Sequence, residues 1–425
     1  MSGDAARTLA ETVARRSYAR LIALLAARSR DVAAAEDALA DAFAAALADW
    51  SDRGPPDNPE AWLMTAAKRK LTDAARRRQT GDAFADAFRA IASEIDESDP
   101  GAIPDQRLAL LFAVAHPAID PELHAPLMLQ VVLGLDAKRI ASAFLTSPAA
   151  MAKRLVRAKT KIREAGIPFS IPDRAMMPER IDAVLAAVYA TFSEGWSDLD
   201  AEGRDLTAEA LFLARTVAEL LPGEAEALGL LALFLYAEAR RPARRSPTGG
   251  YVPLSQQETA LWDQAAIAEA EALLRRAAKL GRVGRYQVEA ALQSAHVDRR
   301  RSGRDNALDV LRLYDVLLAL APSPVVAVNR ALALADVAGP PAGLEALAAL
   351  SGEARLEDYQ PFHAVRAELL MRAGDRAAAA SAFDRAIGLA TDPAVRAFLL
   401  QRRHLADDGS RRTEGLSPNA AGDPR

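Results

Sequence analysis

The chain contains no cysteine. That absence excludes disulfides, thiolate metal centres and cysteine nucleophiles together. Long apolar runs are also missing. No stretch approaches the roughly 20 residues that span a bilayer, and the opening MSGDAARTLAETVARR has no apolar core of signal-peptide length. A soluble cytoplasmic protein without a membrane partner is therefore expected. The five histidines, His116, His124, His296, His363 and His404, fall into no HExxH or other ligand spacing, and there is neither a phosphate-binding glycine loop nor a GxSxG elbow. Enzymatic activity, a metal site and a cofactor are accordingly not expected. Runs of alternating β-branched residues are lacking too. Alanine and leucine dominate instead, with apolar residues spaced three and four apart, so the fold is expected to be all-α.

With 425 residues, 51% of them hydrophobic, the chain is long enough for two to four domains with buried cores. Its net charge of −4 conceals a pattern. Residues 1–80 carry +2, 81–105 carry −6, 106–175 carry +5 and 176–425 carry −5. Six of the seven lysines, Lys68, Lys70, Lys138, Lys153, Lys159 and Lys161, lie in the first 161 residues. Clustered cations in an acidic chain read either as a polyanion-binding surface or as solvated helix faces.

The first block, 8–78, contains three helical patterns. In the second, Val32, Leu39, Phe43, Leu47 and Trp50 form an apolar stripe, with Asp37 and Asp41 on the other side. The polar loop SDRGPPDNP (51–59) breaks it; Asn58 can cap the next helix with Pro59 at its first position. That helix turns Trp62, Leu63 and Leu71 inward and ends in KRKLTDAARRR. Residues 79–105 read as an acidic linker. In the block 106–170, DAKRIASAF (136–144), the turn LTS and PAAMAKRLVRAKTKIREAG (148–166) match a helix-turn-helix, with Ser147 as N-cap and Gly166 as stop. Met151, Leu155, Ala158 and Ile162 can form the buried side, opposite Lys153, Arg157 and Lys161. A long helical array covers 175–407. Its last unit, 362–393, has the small-residue and AGD spacing of a tetratricopeptide repeat, with looser copies near Pro324 and Pro222. The insertion 240–258 is too polar and turn-rich for helix, and the tail 408–425 is expected to be disordered.

DVAAAEDALADAFAAALADW followed by NPEAWLMTAAKRKLTDAARRR resembles region 2 of the extracytoplasmic-function (ECF) sigma factors of bacterial RNA polymerase. LMLQVVLGLDAKRIASAFLTSPAAMAKRLVRAKTKIREAGIPF resembles their region 4, and the remainder is similar to a subgroup with a tetratricopeptide-like carboxyl extension. The resemblance implies two small helical sigma domains joined by a linker, then the repeat array. It implies promoter DNA and core polymerase as partners, through the β′ coiled coil and the β flap; the extension, as a stack of helix pairs with a concave surface, would dock a protein partner or the chain's own sigma domains. Carried over position by position, it implies that Glu36, Asp37, Asp41 and Asp49 face polymerase. Asn58 and Trp62 would capture a flipped −10 base, and Lys68, Arg69, Asp73, Arg76 and Arg77 would hold −10 DNA. In the −35 element, Ser147 would open the reading helix, Lys153 and Arg157 would read bases, and Arg139, Arg154 and Lys159 would touch phosphate. Alanines at 149, 150 and 152 depart from the polar residues common in relatives. A helix-turn-helix regulator with a repeat sensor, never acting as a sigma subunit, is the alternative.

Overall fold

The computed structural model describes residues 9–10, 12–14, 17–18, 21–22, 24–26, 32–56, 58–78, 105–133, 135–164, 172–196 and 206–414. Among these the secondary structure is helical, as the composition implies; the one β feature is an isolated bridge between Arg245 and Tyr251. The chain divides into two compact units, Met1–Leu221 and Pro222–Arg425.

In the first unit, α1 (Val32–Arg53) and α2 (Pro59–Arg78) pack on each other. Leu39, Trp50, Leu63 and Leu71 are buried between them and the preceding helical stretch, where Leu21, Ile22 and Leu25 are buried. Two details differ from expectation. Leu47 is exposed rather than part of the buried stripe, and α1 runs through Arg53, so the break falls at Gly54, whose φ of +83° suits only glycine. Asn58 caps α2 as expected, its Oδ1 accepting from the Ala61 N–H at 3.0 Å.

Next come α3 (Gln106–Val114), α4 (Pro121–Val131), α5 (Ala137–Ala143), α6 (Pro148–Glu164), α7 (Met177–Trp196) and α8 (Leu206–Leu220). Asp105, Asp120 and Asp136 accept hydrogen bonds from first-turn N–H groups of α3, α4 and α5, satisfying donors that a helix cannot satisfy itself. His124 and His116 serve the same local architecture. A ring nitrogen of His124 lies 3.0 Å from the His116 carbonyl, and His116 Nδ1 accepts from Ala118. Helix α7 packs against α3, α4, α5 and α8, with Val184, Leu185, Ala187 and Val188 fully buried. The division of the chain therefore falls at Leu221, not near residue 175: α7 and α8, expected in the array, complete the first unit. Apolar periodicity alone cannot tell which neighbour a helix buries its stripe against.

The second unit contains α9 (Ala225–Ala239), α10 (Gln264–Lys279), α11 (Arg285–Ser302), α12 (Ala307–Leu320), α13 (Pro324–Ala338), α14 (Pro340–Ala348), α15 (Gln360–Ala373), α16 (Arg376–Leu389) and α17 (Pro393–Glu414). Packing runs mainly between sequence neighbours, the pattern of a stacked helical array. Helix α9 is apolar on nearly every side and buried on nearly every side. Its Gly229 lies so close to α11 that a Cβ would come within 2.7 Å of the Gln287 N. The AGD turn of the last repeat has a direct cause: Gly374 ends α15 at φ +87°, and Asp375 caps α16 at the Ala378 N–H. The insertion 240–258 forms no α-helix, as its composition implies, and contains only short helical turns at Arg241–Ala243 and Leu254–Gln256. One expectation is corrected here: helix α17 continues to Glu414, into the segment expected to be disordered. Gly166 and almost all of the acidic linker, 79–104, lie outside the described residues.

Candidate nucleic-acid and polymerase interface

The expected site residues of the first unit fall on two surfaces. On the α1–α2 pair, Asn58 is exposed at the start of α2, and Trp62 is half-buried one turn on. The Trp62 ring meets buried Trp50 edge-on, with centroids 5.6 Å apart and planes at 68°. Trp62 thus belongs partly to the core and partly to the surface beside Asn58. Lys68, Arg69 and Lys70 follow as exposed cations on the same helix, while Ala67 and Leu71 anchor it. Asp73, Arg76 and Arg77 occupy the end of α2, where side chains lie outside the described residues.

The acids expected to face polymerase are spread along α1. Asp37 and Asp41 are exposed, Glu36 and Asp49 half-buried. Asp41 Oδ2 sits 3.3 Å from Lys70 Nζ, tying the acidic and basic surfaces together at their border. Burial, reinforced by the carboxylates of Glu36 and Asp37, pushes the phenol of Tyr18 up to about 12. Tyr18 itself stacks on Phe43 at 6.3 Å.

The second surface is built by α5, the turn after it and α6. Thr146 N–H returns to the Ala141 carbonyl at 3.0 Å, and Leu145 takes a left-handed φ of +49°. A glycine would adopt that conformation without cost; leucine pays roughly 1–2 kcal/mol. Ser147 Oγ then accepts from the Ala150 N–H at 3.2 Å, opening α6. Met151, Leu155 and Ala158 are buried, as the spacing required, and Lys153, Arg154 and Arg157 are exposed on the other side with Val156. Ile162 and Lys161 have no described side chain.

Two of the expected phosphate contacts are engaged within the protein. Lys159 Nζ lies 2.5 Å from Glu36 Oε2, so a residue expected to touch DNA is paired with one expected to touch polymerase. Arg139 Nε lies 3.7 Å from Glu194 Oε2 on α7. Burial holds the Glu194 carboxyl above its usual range even though Arg139 pulls it down. Arg107 likewise reaches Glu209 of α8 and Asp105. Nothing in the sequence singled out Glu194 or Glu209. Each is an ordinary helix-surface acid until α7 and α8 are known to pack beside α3–α5. Among the described residues no group of three or more His, Asp or Glu side chains converges on a metal-sized site, and no helix is long and apolar enough to cross a membrane.

Residues 13–80, which contain the α1–α2 pair, match the family model for sigma-70 region 2. The match gives the helical block at the amino end the pattern of a sigma-70 region 2 domain. Residues 180–278 match a second model, described as a family of unknown function (DUF6596). The chain is 38% identical over 387 residues to “Uncharacterized protein R00370” of Rhizobium meliloti (strain 1021), covering 89% of this chain and 91% of that one. It belongs to the same family as that protein. No solved structure matches the chain.

Proposed function

We propose that this protein is an alternative sigma factor of the ECF type. It binds core RNA polymerase through the α1–α2 block, reads a −10 element with that block and a −35 element with α6, and helps open the duplex. The observation that carries the reading is the order of parts. A sigma-70 region 2 match at residues 13–80 is followed by a helix pair whose second member presents Lys153, Arg154 and Arg157 to solvent. A basic helix of this kind suits the major groove, with bidentate arginine contacts to guanine and lysine contacts to phosphate. The half-buried Trp62, beside exposed Asn58 and followed by Lys68 and Arg69, suits an unstacked base and its backbone.

In this reading Glu36, Asp37, Asp41 and Asp49 meet basic groups of the polymerase β′ coiled coil, and the 106–170 block meets the β flap. The acidic 79–105 tether lies in a cation-lined nucleic-acid channel of the enzyme. The tetratricopeptide-like second unit is a protein-docking module that modulates activity. Run-off transcription with purified core polymerase on a promoter library tests the proposal. Specific transcripts from full-length protein support it. Sequence-specific DNA binding without any core association or initiation would replace it with the helix-turn-helix regulator. A truncation to assign the role of the second unit belongs after Leu221, because a cut near 175 would strip α7 from the helices it packs on.

A further inference from the structure

Within the second unit, Arg240 stands at the end of α9 in an unusual position. Its guanidinium is largely buried, yet its hydrogen bonds go only to neutral acceptors: Nε to the Tyr236 carbonyl at 3.2 Å, and Nη2 to Gln293 Oε1 on α11. Among the described residues no carboxylate pairs with it, and the Nη1 end of the fork has no hydrogen-bond partner. Other arginines around it are committed. Arg241 pairs with Glu238 at 2.7 Å, and Arg245 with Asp392 at 2.6 Å. Arg299 and Arg372 both reach Asp336, at 3.7 and 2.9 Å. The carboxyl end of α9 offers Arg240 only about half an elementary negative charge.

One turn beyond Gln293 on α11 is half-buried His296, near enough to Arg240, Arg299 and Asp336 to feel their charges. Its ring makes no hydrogen bond to any described residue. Burial first, then the charges of Arg240 and Arg299, push the imidazole down to about 4 against the pull of Asp336. Burial and neighbouring Arg244 likewise lower Arg240 to about 10. Buried cations are ordinarily paired, and this group is not.

The insertion follows directly on from Arg240. Residues 244–252 form a small hairpin, with Val252 N–H to the Arg244 carbonyl at 2.9 Å and Ser246 N–H to the Gly250 carbonyl at 2.8 Å. Its arms are pinned to the far end of the array: Arg245 binds Asp392, and Tyr251 packs edge-on against Phe398 at 5.4 Å. Arg240 reaches Gln293 of α11, and Arg244, at the base of the hairpin, lies near enough to act on the charge of Arg240.

We propose that Arg240, Arg244 and His296, with Arg299 behind them, form a binding site for a phosphoryl anion at the base of the 244–252 hairpin. Arg240 presents its Nη1 edge to two phosphate oxygens, and His296, neutral in the empty site, donates a ring N–H to a third or takes up a proton when the dianion arrives. The second unit is then a small-molecule sensor as well as a helical array, independently of whether the first unit acts as a sigma factor.

Calorimetric titration of full-length protein with inorganic phosphate, at low salt and neutral pH, tests this. A second arm with ATP separates the sources: tighter ATP binding assigns the phosphoryl group to a nucleotide, and equal or weaker binding to free phosphate or a small phosphorylated metabolite. Arg240→Gln is expected to weaken phosphate binding about tenfold to hundredfold, the range for losing hydrogen bonds to a charged group. His296→Gln is expected to weaken it less. Imidazole NMR supplies a readout that fold loss cannot imitate. In wild type, phosphate moves the His296 midpoint upward from its low value; in Arg240→Gln it does not. Binding of neither phosphate nor ATP, or binding that leaves the His296 signal unmoved, would overturn the proposal. So would an Arg240→Gln protein that binds phosphate as wild type does.

Discussion

Replacing Glu36 by glutamine tests what the contact between α1 and α6 does. Lys159 Nζ lies 2.5 Å from Glu36 Oε2, with the two side chains 25% and 17% exposed. Two unit charges about 4 Å apart attract by about 4 kcal/mol at an effective dielectric of about 20, and desolvation offsets most of that. Exposed pairs retain roughly 0.2–1 kcal/mol, whereas breaking a buried pair costs about 3–5 kcal/mol. A pair of intermediate burial therefore contributes about 1–2 kcal/mol, a factor of about 5–30 between joined and separated forms. Full-length Glu36→Gln protein should bind a random DNA duplex about 5–30-fold more tightly than wild type. Its log K against log salt should steepen by about 0.9, the increment for one further phosphate contact. Fluorescence anisotropy across a salt series measures both quantities. Unchanged affinity with an unchanged salt slope would refute the reasoning, because Lys159 would then already be available to phosphate in the wild type.

Other expectations concern individual side chains. Trp50→Ala, at a fully buried site, should cost about 3–5 kcal/mol in denaturant unfolding. Trp62→Phe should leave that midpoint nearly in place and, under the proposed −10 role, lower permanganate reactivity of −10 thymines in open complexes. Because His296 is held down to about 4 in the folded protein, the folded state resists protonation. Stability is full above the ordinary histidine value of 6.5 and is lost as pH falls from there to about 4, by on the order of 3 kcal/mol. The melting temperature of His296→Gln should fall less over that interval, and parallel curves would count against the assignment. Gly229→Ala places a methyl 2.7 Å from the Gln287 backbone and should destabilise the second unit by about 1–3 kcal/mol, read as an earlier thermal transition.

Several parts of the candidate interface were legible because their causes are local. Asn58 and Ser147 cap helices because a short polar side chain can reach a free N–H two or three residues on. Met151, Leu155 and Ala158 face inward because the helix repeats every 3.6 residues. The same periodicity misjudged Leu47, which lies on the expected stripe but at its edge, where no neighbour covers it. It also could not show that Lys159 and Arg139 are already paired, since their partners Glu36 and Glu194 lie 123 and 55 residues away in sequence. The insertion 240–258 was legible as non-helical, but its attachment near the start of α17 was not, because Arg245–Asp392 and Tyr251–Phe398 link residues about 147 apart.

The sequence alone determined the helical class, the position of the sigma-like block, the capped basic helix α6 and the segregation of charge along the chain. Each of these depends on composition or on interactions within about one helical turn. Only the tertiary structure decided where the units divide, which cations are spent on internal partners and that Arg240 meets no carboxylate among the described residues. Those are matters of which helix faces which. A helix carries its apolar stripe and its charges in its own sequence, but the partner that buries or neutralises them comes from a distant part of the chain.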